Sequence, residues 1–228
     1  MKKPARGFLV IAALAFLATP LAAATLEEAR IFIEFNDTDQ DVGVHIFLDG
    51  EWESIRITDP RGQVIFNVAG VNALGEIGLS ELFVEGEEPS LDELPLAELF
   101  TLFPEGLYTF EGRSEDGERV RSKARFSHRI PDAPHILTPQ EGVPQDRANT
   151  VIDWEPVTSP AGVQIAGYEV IVEGDGIVEM SIKVPAWLTH LRVPSEILRP
   201  GREYGFEVLA IEKNGNQTIF EGSFETAD

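Results

Sequence analysis

The chain has 228 residues, 43% of them hydrophobic, and a formal net charge of −21. So acidic a surface repels phosphate backbones, which excludes nucleic acid as a partner class. Cysteine is absent, so disulfides, thiol nucleophiles and cysteine metal sites are excluded and apolar burial must hold the fold.

Lys2, Lys3 and Arg6 precede a short apolar run, Phe8 to Leu17, followed by Ala22-Ala23-Ala24. That order predicts a secretory signal peptide over residues 1–24, cleaved after Ala24. The apolar run is shorter than the roughly 18–20 residues of a spanning helix, so no stable membrane insertion is expected after cleavage. No cysteine follows the small residues, which excludes a bacterial lipid anchor. The expected location is periplasmic or extracellular. Losing three cations takes the net charge to −24 over about 204 residues, a length that suits one large or two small domains.

Ala29 to Phe35, Val44 to Leu48, Ile55 to Thr58 and Val64 to Val68 read as strands. Between the first two lies Asp37-Thr38-Asp39-Gln40-Asp41, which sets hard oxygen ligands at alternate positions, as calcium requires. An EF-hand fails: counted from Asp37, the position that needs glycine is Val42 and the one that needs glutamate is Leu48. Two readings stay open. One is a looser calcium site at Asp37, Asp39 and Asp41, closed by Asp49, Glu51 or Glu53; the other is an acidic turn made of ordinary turn residues. Calcium is the only cofactor the sequence suggests.

Asp59-Pro60-Arg61-Gly62 is a hairpin turn. A helical interlude follows, in which Pro95 to Phe103 has apolar residues at helical spacing, proline in the first turn and Pro104 as a stop; Ser90 and Glu93 fit a capping box. Gly106 to Gly112 and Arg119 to His128 then form a hairpin around Ser114 to Gly117. No family resemblance emerges from this half.

Ile130 to Arg147 holds four prolines, which forbid a helix or a central strand. Its start reads as a linker and its end as an edge strand opening a second domain. Beyond it, Thr150 to Trp154, Gly167 to Val172, Ile177 to Val184, Thr189 to Val193, Tyr204 to Ile211 and Thr218 to Phe224 alternate between turn signals, as in an antiparallel sandwich.

The stretches NTVIDWEP, IAGYEVIVEG and LRPGREYGFEVLAIEKNG, within residues 134–226, resemble a fibronectin type III domain. The resemblance implies that Trp154 and Tyr168 are core residues of the second and third strands. It also implies that Tyr204 pins the corner between sheets through its hydroxyl. The RGD adhesion loop of some members is missing, so integrin-type adhesion is not implied.

The predicted fold is mainly β: two β-sandwich-like domains in tandem, residues 25–130 with one short helix and residues 131–228 resembling fibronectin type III. No GxSxG elbow, P-loop or GxGxxG occurs, and His45, His128, His135 and His190 lack ligand spacing. With 39 acidic residues, carboxylate pairs carry no information. Trp52 and Trp187 are candidates for sugar stacking or for core packing. Asn36 and Asn216 open glycosylation sequons. The expected function is non-enzymatic: binding or scaffolding, with sandwich loops presented to an extracytoplasmic protein or polysaccharide. The alternative is a carbohydrate-active enzyme with its site in the first domain.

Overall fold

A computed structural model describes residues 23–228, so the expected signal peptide lies almost wholly outside the described residues. The first half forms β1 (Glu28–Asn36), β2 (Asp41–Trp52), β3 (Ser54–Thr58), β4 (Val64–Ala69), a short helix α1 (Ala73–Ile77), β5 (Leu79–Glu85), a helix α2 (Leu96–Leu102), β6 (Gly106–Arg113) and β7 (Arg119–Phe126). The second forms β8 (Ile136–Thr138), β9 (Val151–Trp154), β10 (Ile165–Gly174), β11 (Ile177–Pro185), β12 (His190–Arg192), β13 (Glu203–Glu212) and β14 (Gln217–Glu225). The fold is mainly β, as the alternating runs require.

The interlude after β4 differs from expectation. It contains a second helix, α1, which buries no residue, and a strand, β5, ahead of the expected helix. In β5, Leu82 and Val84 pack against the core while Glu81, Phe83 and Glu85 take the other face, the period of two that a half-buried strand needs. Ser90 and Glu93 do meet, at 3.3 Å, but in a turn ahead of α2 rather than in its cap.

Two sheets cover each hydrophobic core. In the first half β1-β2-β5 faces β4-β3-β6-β7; in the second, β8-β9-β12 faces β11-β10-β13-β14. Adding seven to each strand number converts one order into the other, so the chain is an internal repeat of one seven-stranded sandwich. Trp52 ends the second strand of one repeat and Trp154 that of the other, each about 1% exposed. The corner tyrosine recurs as well. Arg199 N–H donates to the Tyr204 hydroxyl at 2.7 Å, and that hydroxyl donates to Ile197 O at 3.2 Å; the Tyr108 hydroxyl donates to Pro104 O at 3.2 Å. Burying side chains of this size is worth roughly 1.5–3 kcal/mol apiece, which accounts for a stable chain without cysteine.

The halves are not separate beads. β1 pairs with β14 in parallel, so β11-β10-β13-β14-β1-β2-β5 is one continuous seven-stranded sheet. The residues after β7, which lead into the linker expected from Ile130, are pinned to that sheet. The Asn216 side-chain amide donates to Ser127 O and Arg129 O at 2.8 Å each, and its carbonyl accepts from Ile33 N–H at 2.8 Å. Arg129 also pairs at 2.7 Å with Glu212, whose side chain is fully buried. The Thr218 hydroxyl donates to Pro131 O at 2.5 Å.

Candidate functional site

Asp37 to Gln40 form the tight turn between β1 and β2, and Asp41 opens β2 opposite Asn36. The Asn36 side-chain carbonyl accepts from Thr38 N–H at 3.0 Å and Asp39 N–H at 3.1 Å, an Asx turn that leaves Gln40 at φ 57°. Asp37 and Asp39 are exposed and Asp41 is half-buried. Asp49, Glu51 and Glu53 cannot close a site over this turn. β2 runs unbroken from Asp41 to Trp52, and eight residues of strand at about 3.4 Å each put Asp49 roughly 27 Å away.

A different set converges. Among the described residues, one group of three His, Asp or Glu ligand atoms lies within 4.8 Å of one another: Glu34, His45 and Glu88. Pairing sets Glu34 opposite Gly43 and Phe32 opposite His45, so Glu34 and His45 are diagonal neighbours on the face of β1 and β2 turned away from the core. Glu88 arrives from the segment after β5, which runs back along β2 through Gly86 N–H to Val44 O and Val42 N–H to Pro89 O, both 3.2 Å. His45 Nε2 lies 3.3 Å from Glu88 Oε1 and 4.0 Å from Glu34 Oε1. The His45 side chain is 4% exposed and lies between Phe32 and Phe83, with ring centroids 5.3 and 5.5 Å away.

Gly43 makes this approach feasible. A Cβ there would lie 2.9 Å from Glu88 Cγ, 3.0 Å from Glu88 Oε1 and 3.1 Å from His45 Nε2. The other Glu34 oxygen accepts a hydrogen bond from the Gln217 amide of β14. Burial pushes the Glu34 carboxyl above its ordinary range, with nearby Glu88 and Glu85 pushing the same way against His45 and Gln217. Burial and then the charges of Glu88, Asp39 and Glu221 push Asp41 up as well. Further along this face, burial and the neighbouring carboxylates of Glu221, Glu173, Glu34 and Glu169 push Glu207 up to about 7. The open face of the long sheet is therefore an acidic band.

A groove of about 760 Å³ opens beside it, between β8 and β14. Ile136 and Leu137 line one wall, Phe220 and Glu221 the other, and Thr38 of the acidic turn reaches its rim. Gly222 lets the chain pass under Phe206, since a Cβ there would sit 2.6 Å from the ring.

The remaining candidates separate cleanly. Trp52 is core and Trp187 is 79% exposed, so they form no shared platform. His128 stacks on Phe100 at 4.0 Å, and its Nε2 lies 2.7 Å from Phe103 O. His135 is exposed and lines the groove. Both sequon asparagines are engaged: Asn216 is buried in the seam, and the Asn36 amide donates to Glu221 at 2.6 Å. His45 stands in no ligand-spacing motif, and the partners it meets in the fold are 11 and 43 residues away in the chain. The available signal was a glutamate in the middle of the otherwise apolar Ile31-Phe32-Ile33-Glu34-Phe35 strand. Among the described residues, no helix is long and apolar enough to cross a membrane.

No protein-family model and no curated protein matches the chain. Among solved structures it is similar to the chicken CNTN1 FN1–FN3 domains, with 10% identity, a TM-score of 0.37, and 90% of this chain against 65% of that one covered. It is also similar to a two-domain fibronectin type III segment from chicken tenascin (11% identity, TM-score 0.32, 88% of this chain and 99% of that one). A third is the Clostridium perfringens spore cortex lytic enzyme SleM, with 14% identity, a TM-score of 0.32, and 45% of this chain and 32% of that one covered. The chain thus spans just under two thirds of the first of these. The sandwich reading rests on the strand order and the two cores.

Proposed function

We propose that this is an exported, non-enzymatic binding or scaffolding protein of two fibronectin type III-like modules, and that it holds a basic segment of an extracytoplasmic protein in the groove between β8 and β14. The observation that carries the reading is the groove itself. It is open, lined by apolar side chains interspersed with polar and acidic ones, and bordered on one side by β8, the edge strand of its sheet. An edge strand offers unpaired backbone groups to an extended segment, and flanking apolar positions supply selectivity. Glu141 and Glu221 line the same groove in a chain of net charge −21, which favours a cationic partner and disfavours an acidic one. The shared sheet supports the scaffolding role, because it fixes the two modules relative to each other.

The test is retention of purified envelope proteins and polysaccharides on the immobilised mature chain, with Leu137→Glu as the control. Leu137 is 41% exposed, so its replacement spares the core. The expected result is retention of a basic protein that Leu137→Glu abolishes, with no product formed. Polysaccharide retained without turnover would keep the binding role and change the partner; released reducing sugar would replace this reading with that of a carbohydrate-active enzyme. Fractionation of cells expressing the full chain tests export separately.

A further inference from the structure

We propose that Glu34, His45 and Glu88 form a binding site for a divalent transition-metal ion, zinc being the ion of choice, on the open face of the long sheet where the two modules join. Three arguments lead to it, none of which depends on the groove.

The first is donor geometry. One imidazole nitrogen faces two carboxylate oxygens at 3.3 and 4.0 Å, and all three ligand atoms lie within 4.8 Å of one another. A zinc ion about 2.0–2.2 Å from each ligand at tetrahedral angles sets those ligands roughly 3.3–3.6 Å apart. The His45–Glu88 edge already has that length, the His45–Glu34 edge must close by about half an ångström, and the two carboxylates, within 4.8 Å of each other, must draw together around the ion. A single Nε2–H bonds one carboxylate well, and at 4.0 Å the Glu34 oxygen is beyond its reach. A cation placed among the three would engage all of them.

The second is the space reserved for the contact. Gly43 has an ordinary extended backbone, so its lack of a side chain is not required by φ. What it provides is room: any Cβ would collide with Glu88 and approach His45 Nε2 at 3.1 Å. The strand is hollowed at the one place where Glu88 crosses it to reach the histidine.

The third is the support around the ligands. Gln217 holds the Glu34 oxygen turned away from the cluster, and Phe32 and Phe83 fix the plane of the imidazole. Orienting contacts of this kind are what metal sites require of their surroundings. The Glu88 side chain is 33% exposed, so one side stays open to water as the fourth ligand. An imidazole and two carboxylates suit zinc and its neighbours, whereas calcium demands six to eight oxygens. Glu34 comes from β1, His45 from β2 and Glu88 from the segment after β5, and Gln217 ties them to β14. A bound ion would therefore tighten the seam between the modules.

The site is testable on the full mature chain, stripped with chelator and titrated with zinc by calorimetry in high salt, which screens diffuse attraction to the acidic surface. One equivalent should bind with micromolar affinity or better, and zinc should raise the melting temperature. Cobalt in place of zinc should show the intense visible absorption of a tetrahedral ion. Glu88→Gln should lower the affinity at least tenfold with little effect on the unliganded fold, because that side chain is partly exposed. His45→Gln should abolish binding. Gly43→Ala, which fills the space without removing a ligand, should weaken binding too. Asp37→Asn with Asp39→Asn should leave affinity unchanged. Absence of a saturable equivalent, or one that survives both Glu88→Gln and Gly43→Ala, overturns the proposal. So does zinc binding that follows the Asp37 and Asp39 changes.

Discussion

Asn216 joins β1 to the segment between the modules through a single buried side chain. It is 1% exposed, and its three side-chain hydrogen bonds reach one residue of β1 and two in the segment that joins the modules. Asn216→Ala strands a buried Ile33 N–H and takes the donor from Ser127 O, while Arg129 O keeps the Asn214 amide. At roughly 1–3 kcal/mol for each unsatisfied buried group, with partial relief from water, a loss of about 3 kcal/mol is expected. For a chain of this size that is a fall in melting temperature of roughly 6–12 °C, readable by circular dichroism. Glu207 is the residue to test by pH. Its folded pKa, pushed up to about 7 by burial and then by neighbouring carboxylates, lies above the unfolded value of about 4.5. The native state therefore holds a proton that the unfolded chain releases, so this contribution to stability is full below about 4.5 and is lost as pH rises through about 7. Glu207→Gln should flatten that slope and raise stability at pH 8. The side chain is half-buried, so solvent screening limits the gain to about 1 kcal/mol, and less in high salt. A variant as unstable at pH 8 as the parent, with the same slope, would show that the like charges on the open face do not govern Glu207.

At the scale of elements, the two corner tyrosines offer a comparison within one chain. The Tyr204 hydroxyl both accepts from Arg199 and donates to Ile197, whereas that of Tyr108 makes a single bond, to Pro104. Tyr204→Phe should therefore cost about 2 kcal/mol and Tyr108→Phe about 1 kcal/mol, measured by urea denaturation. Equal losses would mean that the corners are held by ring packing alone. These corners also show what could be read from the sequence. Leu198-x-Pro200 followed by Tyr204 signals the second sandwich. Leu102-x-Pro104 followed by Tyr108 has the same spacing, with the glycine moved by one position. In the first half the signal is masked because α2 runs into it, so Pro104 reads as a helix stop. β5 is obscured in the same way, lying between two short helices. Of the Glu34, His45 and Glu88 cluster, local pattern marks only Glu34, the one carboxylate in an otherwise apolar run. Its partners meet only once β1 and β2 pair in register and the chain returns over Gly43, and neither event leaves a mark at sequence spacing.

The whole molecule poses the question of whether two sandwiches unfold as one. The seam contains the β1–β14 ladder, the Asn216 and Asn214 amide bonds, the Arg129–Glu212 pair, the Thr218–Pro131 bond and the Asn36 and Thr38 bonds to Glu221. Roughly ten hydrogen bonds at a net ~1 kcal/mol each give about 10 kcal/mol. That is similar to the whole stability of an ordinary domain, about 5–15 kcal/mol. A coupling of this size forbids either module from melting while the other stays folded. Loss of one would also expose the edge of β1 or β14 and leave the buried Glu212 carboxylate without its cation, itself a cost of several kcal/mol. Residues 25–228 should therefore give a single calorimetric transition whose van't Hoff and calorimetric enthalpies agree. The double variant Arg129→Ala with Asn216→Ala removes the buried charge partner and the central amide together, and it should separate the trace into two transitions. Two transitions in the parent chain would show the modules to be independent, and the continuous sheet would then contribute orientation rather than stability.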